Sequence, residues 1–161
     1  MLKNILNLIT NKLLSLQKES IEMTIKEKQQ EIIDEFAFLE DWEQKYEYII
    51  DLGKELKGLP DDKKTDDNLI KGCQSKVWLH AEKQGDQVVF FADSEAIIVK
   101  GMISMLIRVL SNHTAAEIMQ ADLYFIDQIG MSQHLAQTRS NGLVAMVKQM
   151  KNYAVAFHAI A

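Results

Sequence analysis

The chain has 161 residues, 47% hydrophobic and 25% charged, which is enough for one domain around a single core. Eighteen Lys and Arg against twenty-three Asp and Glu give a formal charge of −5 with no basic stripe, so an electrostatic nucleic-acid binder is excluded. One proline and seven glycines exclude collagenous and low-complexity chains, and one cysteine excludes both a disulfide framework and a zinc or iron–sulfur site made of one chain's thiolates.

From Met1 to about Glu22, Leu2, Ile5, Leu6, Ile9, Leu13 and Leu16 recur at three- and four-residue steps, with Lys3, Lys12 and Lys18 between them. That is the pattern of a short amphipathic helix. Asn4, Asn7, Thr10 and Asn11 interrupt any secretory core and the stretch has no Arg, so neither a signal nor a transit peptide is expected. Residues 1–22 read as an extension dispensable to the domain over residues 23–161, with a membrane-surface or partner helix as the alternative. No apolar run approaches the ~18 residues of a membrane span, and a single thiol suits a reducing cytoplasm.

Ile25, Ile32, Phe36 and Leu39 predict one helix, and Trp42, Tyr46, Ile49, Ile50 and Leu56 a second that ends between Gly53 and Gly58. Pro60 opens a polar loop, Asp61 to Asn68, whose charges are expected in solvent. The period then drops to two. Val77, Leu79 and Ala81, a turn over Lys83 to Asp86, and Val88, Phe90 and Ala92 predict a β-hairpin with Gly85 in its turn. Asp93–Ser94 supply the expected N-cap of a helix from about Glu95 to Leu110. Thr114 and Glu117 have capping-box spacing for a shorter helix, and another covers Leu123 to Ile129. The last begins near Ser140–Asn141, with Leu143, Met146, Val147, Met150 and Ala154 on one stripe. Strands that arrive together, with helices before and after them, predict a single α+β domain of helices packed on a small antiparallel sheet.

Gly72–Cys73 places the only thiol at the junction of the polar loop and the first strand. Loops on a rigid scaffold are where reactive groups sit, and glycine gives this one conformational freedom. Lys71 and Lys76 flank the thiol and would favour the thiolate, whereas an apolar wall would hold it neutral. An inert, buried cysteine is the alternative. His80, His113, His134 and His158 lack metal-ligand spacing, so no metal is expected. Met102, Met105, Met146 and Met150 lie at core spacing, and Trp42, Tyr46 and Trp78 read as packing residues, Trp78 also as a support for the Cys73 loop.

Gly72–Cys73–Gln74–Ser75–Lys76–Val77–Trp78 resembles the G-C-Q-S-x-V-W signature of the SufE family, sulfur-accepting partners of cysteine desulfurases. Asp41 to Gly53 resembles that family's D-W-E-x-x-Y-x-Y-I-I-x-L-G helix. Ala92–Asp93–Ser94–Glu95–Ala96, Ile98–Val99–Lys100–Gly101, Gln133–His134–Leu135 and Arg139–Ser140–Asn141–Gly142–Leu143 follow in the family's order. The likeness runs from about Ile25 to Tyr153 and leaves out the first segment. One departure is Thr138, where many relatives carry Ser; the hydroxyl is kept.

The resemblance implies a SufE/IscU-like fold and a role. Cys73 would take the terminal sulfur of a persulfide on a SufS-like cysteine desulfurase, stimulate that enzyme, and pass the sulfur to a downstream iron–sulfur scaffold. Arg139 falls on an arginine of the family motif and would stabilise the thiolate or persulfide, although a surface arginine capping a helix is an equal reading. The pyridoxal phosphate (PLP) belongs to the desulfurase, and no cofactor is expected on this chain. A CsdE-type acceptor, a cluster scaffold and an inert interaction module are the alternatives; the scaffold is disfavoured because it needs several thiolates. The exchange is chemically simple, since a thiolate attacks a sulfur atom. A second cysteine nearby would discharge the new persulfide as a disulfide, and this chain has none.

Overall fold

The computed structural model describes residues 1–160, and the side chains of residues 1–14 and 22–160. Helix α1 spans Leu2–Ile21. The domain begins with α2, Ile25–Ala37, started by a full capping box in which Thr24 Oγ1 accepts from the Glu27 amide and the Glu27 carboxylate accepts from the Thr24 amide. Asp41 caps α3, Trp42–Lys54, by accepting from the Gln44 amide. The hairpin follows as β1, Val77–Gln84, and β2, Gln87–Ser94, then α4, Ile97–Leu110. A two-residue strand β3, His113–Thr114, leads into α5, Ala115–Gln120, and the short helices α6, Phe125–Gln128, and α7, Met131–His134. Helix α8, Gln137–Ala159, closes the domain.

The sheet has the order β1-β2-β3, antiparallel throughout, with Leu79 opposite Ala92 and Ala81 opposite Phe90. Residues alternate across a pleated strand, so Val77, Leu79 and Ala81 share a buried face with Val88, Phe90 and Ala92. That face packs on α4, whose Met102, Ile103, Met105, Leu106, Val109 and Leu110 are all buried. Gly85 turns the hairpin at φ +64° with open space around it, as a left-handed residue requires. Helices α3 and α4 approach so closely that a Cβ on Gly101 would lie 2.0 Å from the Ile49 carbonyl oxygen. At the other end of α4, Arg108 forks onto Glu35 of α2, and Tyr48 of α3 donates to the same carboxylate.

The α+β reading stands, and four local expectations change. Strand β3 is too short for any period to reveal. Helix α8 starts at Gln137, before Ser140, because its first turn faces solvent and a cavity and carries none of the apolar stripe. The polar loop contains two 3-10 turns, Asp61–Lys63 and Asp66–Asn68. Finally, Asp93 and Ser94 do not start a helix at Glu95: α4 starts at Ile97 with Ala96 as its N-cap, and Ser94 Oγ only accepts from the Ala96 amide at 3.2 Å.

Asp93 is turned inward instead. Its carboxylate takes Lys64 at 3.1 Å and Lys100 at 3.3 Å, and accepts from the amides of Ser94 and Leu59. Burial pushes its pKa up, but the Lys64 bond, the two amides and Lys100 outweigh burial and hold it below the usual carboxylate range. The stabilisation is therefore complete above that range and is lost as pH falls through the depressed value. Lys64 also lies 5.7 Å from the centre of the Trp78 ring, so the supposedly solvated loop is tied to the sheet.

Candidate functional site

Residues 71–75 form a short arch with both feet fixed. At one foot Leu69 bridges Trp78 and the Ile70 amide donates to the Val77 carbonyl at 2.9 Å. At the other, the Lys76 carbonyl accepts from Ser94 Oγ at 2.8 Å and from the Glu95 amide at 3.3 Å. Gly72 sits in the arch at φ +95°, a conformation that disfavours a side chain. Trp78, buried in β1, thus does anchor the arch.

Cys73 is half-buried and turned inward, its thiol donating to the Gly142 carbonyl at 3.6 Å. Gly142 lies in the first turns of α8, and a Cβ there would meet Cys73 Sγ at 3.5 Å, an ordinary van der Waals contact. Gly142 was legible only as part of a motif; its carbonyl as the partner of the thiol needed the fold. Burial raises the Cys73 pKa, and neither Lys71 nor Lys76, both exposed, offsets it. The expectation that these lysines favour the thiolate is therefore corrected, and the apolar wall dominates.

The thiol opens on a cavity of about 330 Å³. Ile98 and Val99 of α4 and Met146 of α8 form its apolar wall, with Met102 behind them; Gln74, Ser75, Thr138 and Arg139 form its rim. Two helices start at this cavity, since Ala96 and Ile98 at the head of α4 and Ala136 and Thr138 at the head of α8 all line it. Neither N-cap residue caps its helix with a side chain, and of the amides at these two heads only that of Ala96 meets a side chain among the described residues, Ser94 Oγ at 3.2 Å. Uncapped N-termini present free amides and a partial positive charge, which favour an anion. Arg139 is exposed, is the one charged side chain lining the cavity among the described residues, and has no ion-pair partner among them. The site thus shelters a neutral thiol while being electropositive at its mouth.

The remaining candidates fall elsewhere. His113 is buried on β3 and bonded to the carbonyls of Ser111 and Met23; His134 stacks on Trp42 at 4.1 Å. His80 faces Glu82 on β1, and His158 is exposed near the end of α8. Met105 and Met150 are core residues, and Tyr46 donates to the His134 carbonyl.

A thiol held neutral by burial should be slow to alkylate. We expect native Cys73 to react with iodoacetamide at least tenfold more slowly at neutral pH than the same cysteine in unfolded chain, with a rate that climbs to a midpoint above that of a free thiol. Equal rates in folded and unfolded protein would show that the sheltered state does not exist.

The SufE family, described as an Fe–S metabolism associated domain, matches residues 30–154. An uncharacterized SufE-like protein of Rhizobium meliloti (strain 1021) is 39% identical over 129 residues, covering 77% of this chain and 92% of its own. One of Rhizobium etli is 41% identical over 129 residues, covering 77% and 87%. The solution structure of a hypothetical protein from Thermus thermophilus superposes with a TM-score of 0.66 over 80% of this chain and 94% of its own; at 16% identity this speaks to the fold alone. With the family matched over most of its length, the chain belongs to the SufE family and has its place in iron–sulfur metabolism.

Proposed function

We propose that this protein accepts sulfur on Cys73 from the persulfide of a SufS-like cysteine desulfurase, stimulates that enzyme by removing its product, and relays the sulfur to an iron–sulfur scaffold. The observation that carries the reading is the placement of the only thiol, half-buried on an arch with fixed feet, at a cavity where two uncapped helix heads and Arg139 meet. In the transfer, the Cys73 thiolate attacks the terminal sulfur of the donor persulfide. A new S–S bond forms on Cys73, the donor's S–S bond breaks, and the departing donor thiolate takes up the proton that Cys73 gave up. No net oxidant or reductant is consumed. The desulfurase supplies the PLP chemistry, and this chain acts in the cytoplasm with no cofactor of its own.

Gly142 links protonation to position. A neutral thiol has a proton to give the Gly142 carbonyl, whereas a thiolate meets the same oxygen as a repulsive partner. Ionisation and outward movement of the sulfur therefore favour each other. A desulfurase shifts this balance only if it binds the outward arrangement better.

The test is the intact mass after incubation with cysteine and a SufS-like desulfurase, followed by peptide mapping. A gain of one sulfur atom, reversed by thiol reductant and mapped to Cys73, is expected; no gain, or a gain elsewhere, refutes the proposal. Arg139→Ala should slow the transfer roughly tenfold with little change in thermal stability, and Arg139→Lys should recover part of the rate, because the cation acts on an exposed, developing negative charge.

A further inference from the structure

Helix α1 has an apolar stripe that the domain does not use. None of residues 1–14 packs against the core, and Leu2, Ile5, Leu6, Ile9 and Leu13 are each at least 50% exposed. At 3.6 residues per turn these five fall within an arc of about 100°, the width of a face meant for burial. Asn4, Asn7 and Asn11 occupy the opposite side by the same count, which they share with Leu14, while Leu8 falls at the edge between the two sides. The helix is basic too: α1 holds Lys3, Lys12 and Lys18 against the single carboxylate of Glu19, in a chain whose formal charge is −5.

Two occupants compete for the stripe. For a second copy, Leu2, Leu6, Ile9 and Leu13 would form an alternating four-three seam, but α1 has 20 residues, short of the three to four heptads a coiled coil needs. In a parallel pair Lys3 would flank that seam with no carboxylate near it on the facing copy. An anionic lipid surface meets both features at once, taking the leucines and isoleucines below its headgroups and the lysines against its charge. No helix among the described residues is long and apolar enough to cross a membrane, so α1 would lie along the surface.

We propose that α1 is a reversible anchor that binds this sulfur-handling domain to an anionic lipid surface. The stripe provides the insertion and the lysines the selectivity for acidic lipid, while the acidic domain stays in water. The weak anchoring expected of one short helix fits a carrier that must also leave to meet its partners.

The test is co-sedimentation of the full chain with phosphatidylcholine vesicles made with and without phosphatidylglycerol. Binding is expected only to the vesicles with phosphatidylglycerol, about tenfold weaker or more after Lys3→Gln, Lys12→Gln and Lys18→Gln together, and weakened by salt. Leu6→Asp with Ile9→Asp should abolish it, as should starting the chain at Met23, while sulfur acceptance in solution and the melting temperature stay as in the parent. Failure to bind either vesicle overturns the proposal, as does binding that survives the two aspartates. A dimer in light scattering that the aspartates dissolve, without lipid binding, assigns the stripe to a second copy and overturns it equally.

Discussion

Cys73→Ser is expected to fold as the parent does and to accept no sulfur. A serine fits the space of the thiol, and its hydroxyl donates to the Gly142 carbonyl in the cysteine's place. Because the site is half open, water satisfies what that carbonyl does not, and stability should stay within about 1 kcal/mol of the parent. The chemistry has no such substitute. A neutral hydroxyl is far from ionised at physiological pH and does not attack a persulfide, and no other cysteine exists in the chain to take over. The loss should therefore be complete, both in added mass and in stimulation of the desulfurase. Full stimulation by the serine variant would mean that the protein acts on the enzyme by binding alone.

The largest effect on stability is expected at a glycine of α4 that does not itself line the cavity. In an open helix, Gly→Ala gains about 1 kcal/mol from the backbone. At Gly101 the added carbon would stand 2.0 Å from the Ile49 carbonyl oxygen and 2.6 Å from the Ile49 side chain, and neither neighbour can swing aside, since Ile49 is fully buried within α3. Helices α3 and α4 must separate, at a cost of about 3 kcal/mol that outweighs the helical gain. The net loss of about 2 kcal/mol should lower the thermal midpoint by about 6 °C. A midpoint unchanged or raised would show that the two helices have slack. Because α4 also carries Ile98 and Val99 into the cavity wall, Gly101→Ala should speed alkylation of Cys73 as well.

Where the sequence was legible, a repeating spacing or a local motif carried the signal. The alternation of Val88, Phe90 and Ala92 gave β2 its buried face, and Thr114 with Glu117 marked the head of α5, where Thr114 Oγ1 does accept from the Glu117 amide. What stayed hidden depended on partners distant in the chain. Asp93–Ser94 looks like a helix start, yet Lys64, well upstream in the chain, and the Leu59 amide draw the carboxylate inward and move the helix head to Ala96. That displacement leaves the α4 head uncapped beside the thiol, so the electropositive character of the site was beyond local reading. Arg139 and Cys73 were each visible, but only the packing of α8 against the arch brings them to one cavity. The lysines beside Cys73 misled because neighbours in sequence are not neighbours in space: both are exposed, and burial sets the direction of the shift.

The fixed feet of the arch put a limit on distance. With Ile70 bonded to Val77 and Lys76 bonded to Ser94 and Glu95, only Lys71 to Ser75 are free to straighten. Chain geometry gives a segment of that length an apex no more than about 10 Å above its feet, however it bends. The sulfur therefore travels on a short tether, and no rearrangement of the arch alone can deliver it into a deep channel. Under the proposed function, a donor would have to bring its own sulfur within that radius, either by extending a loop of its own or by seating the whole face around Ala96 and Ala136 against its entrance. Specificity for such a donor would then lie largely in the contour of that face, because the tether is too short to search.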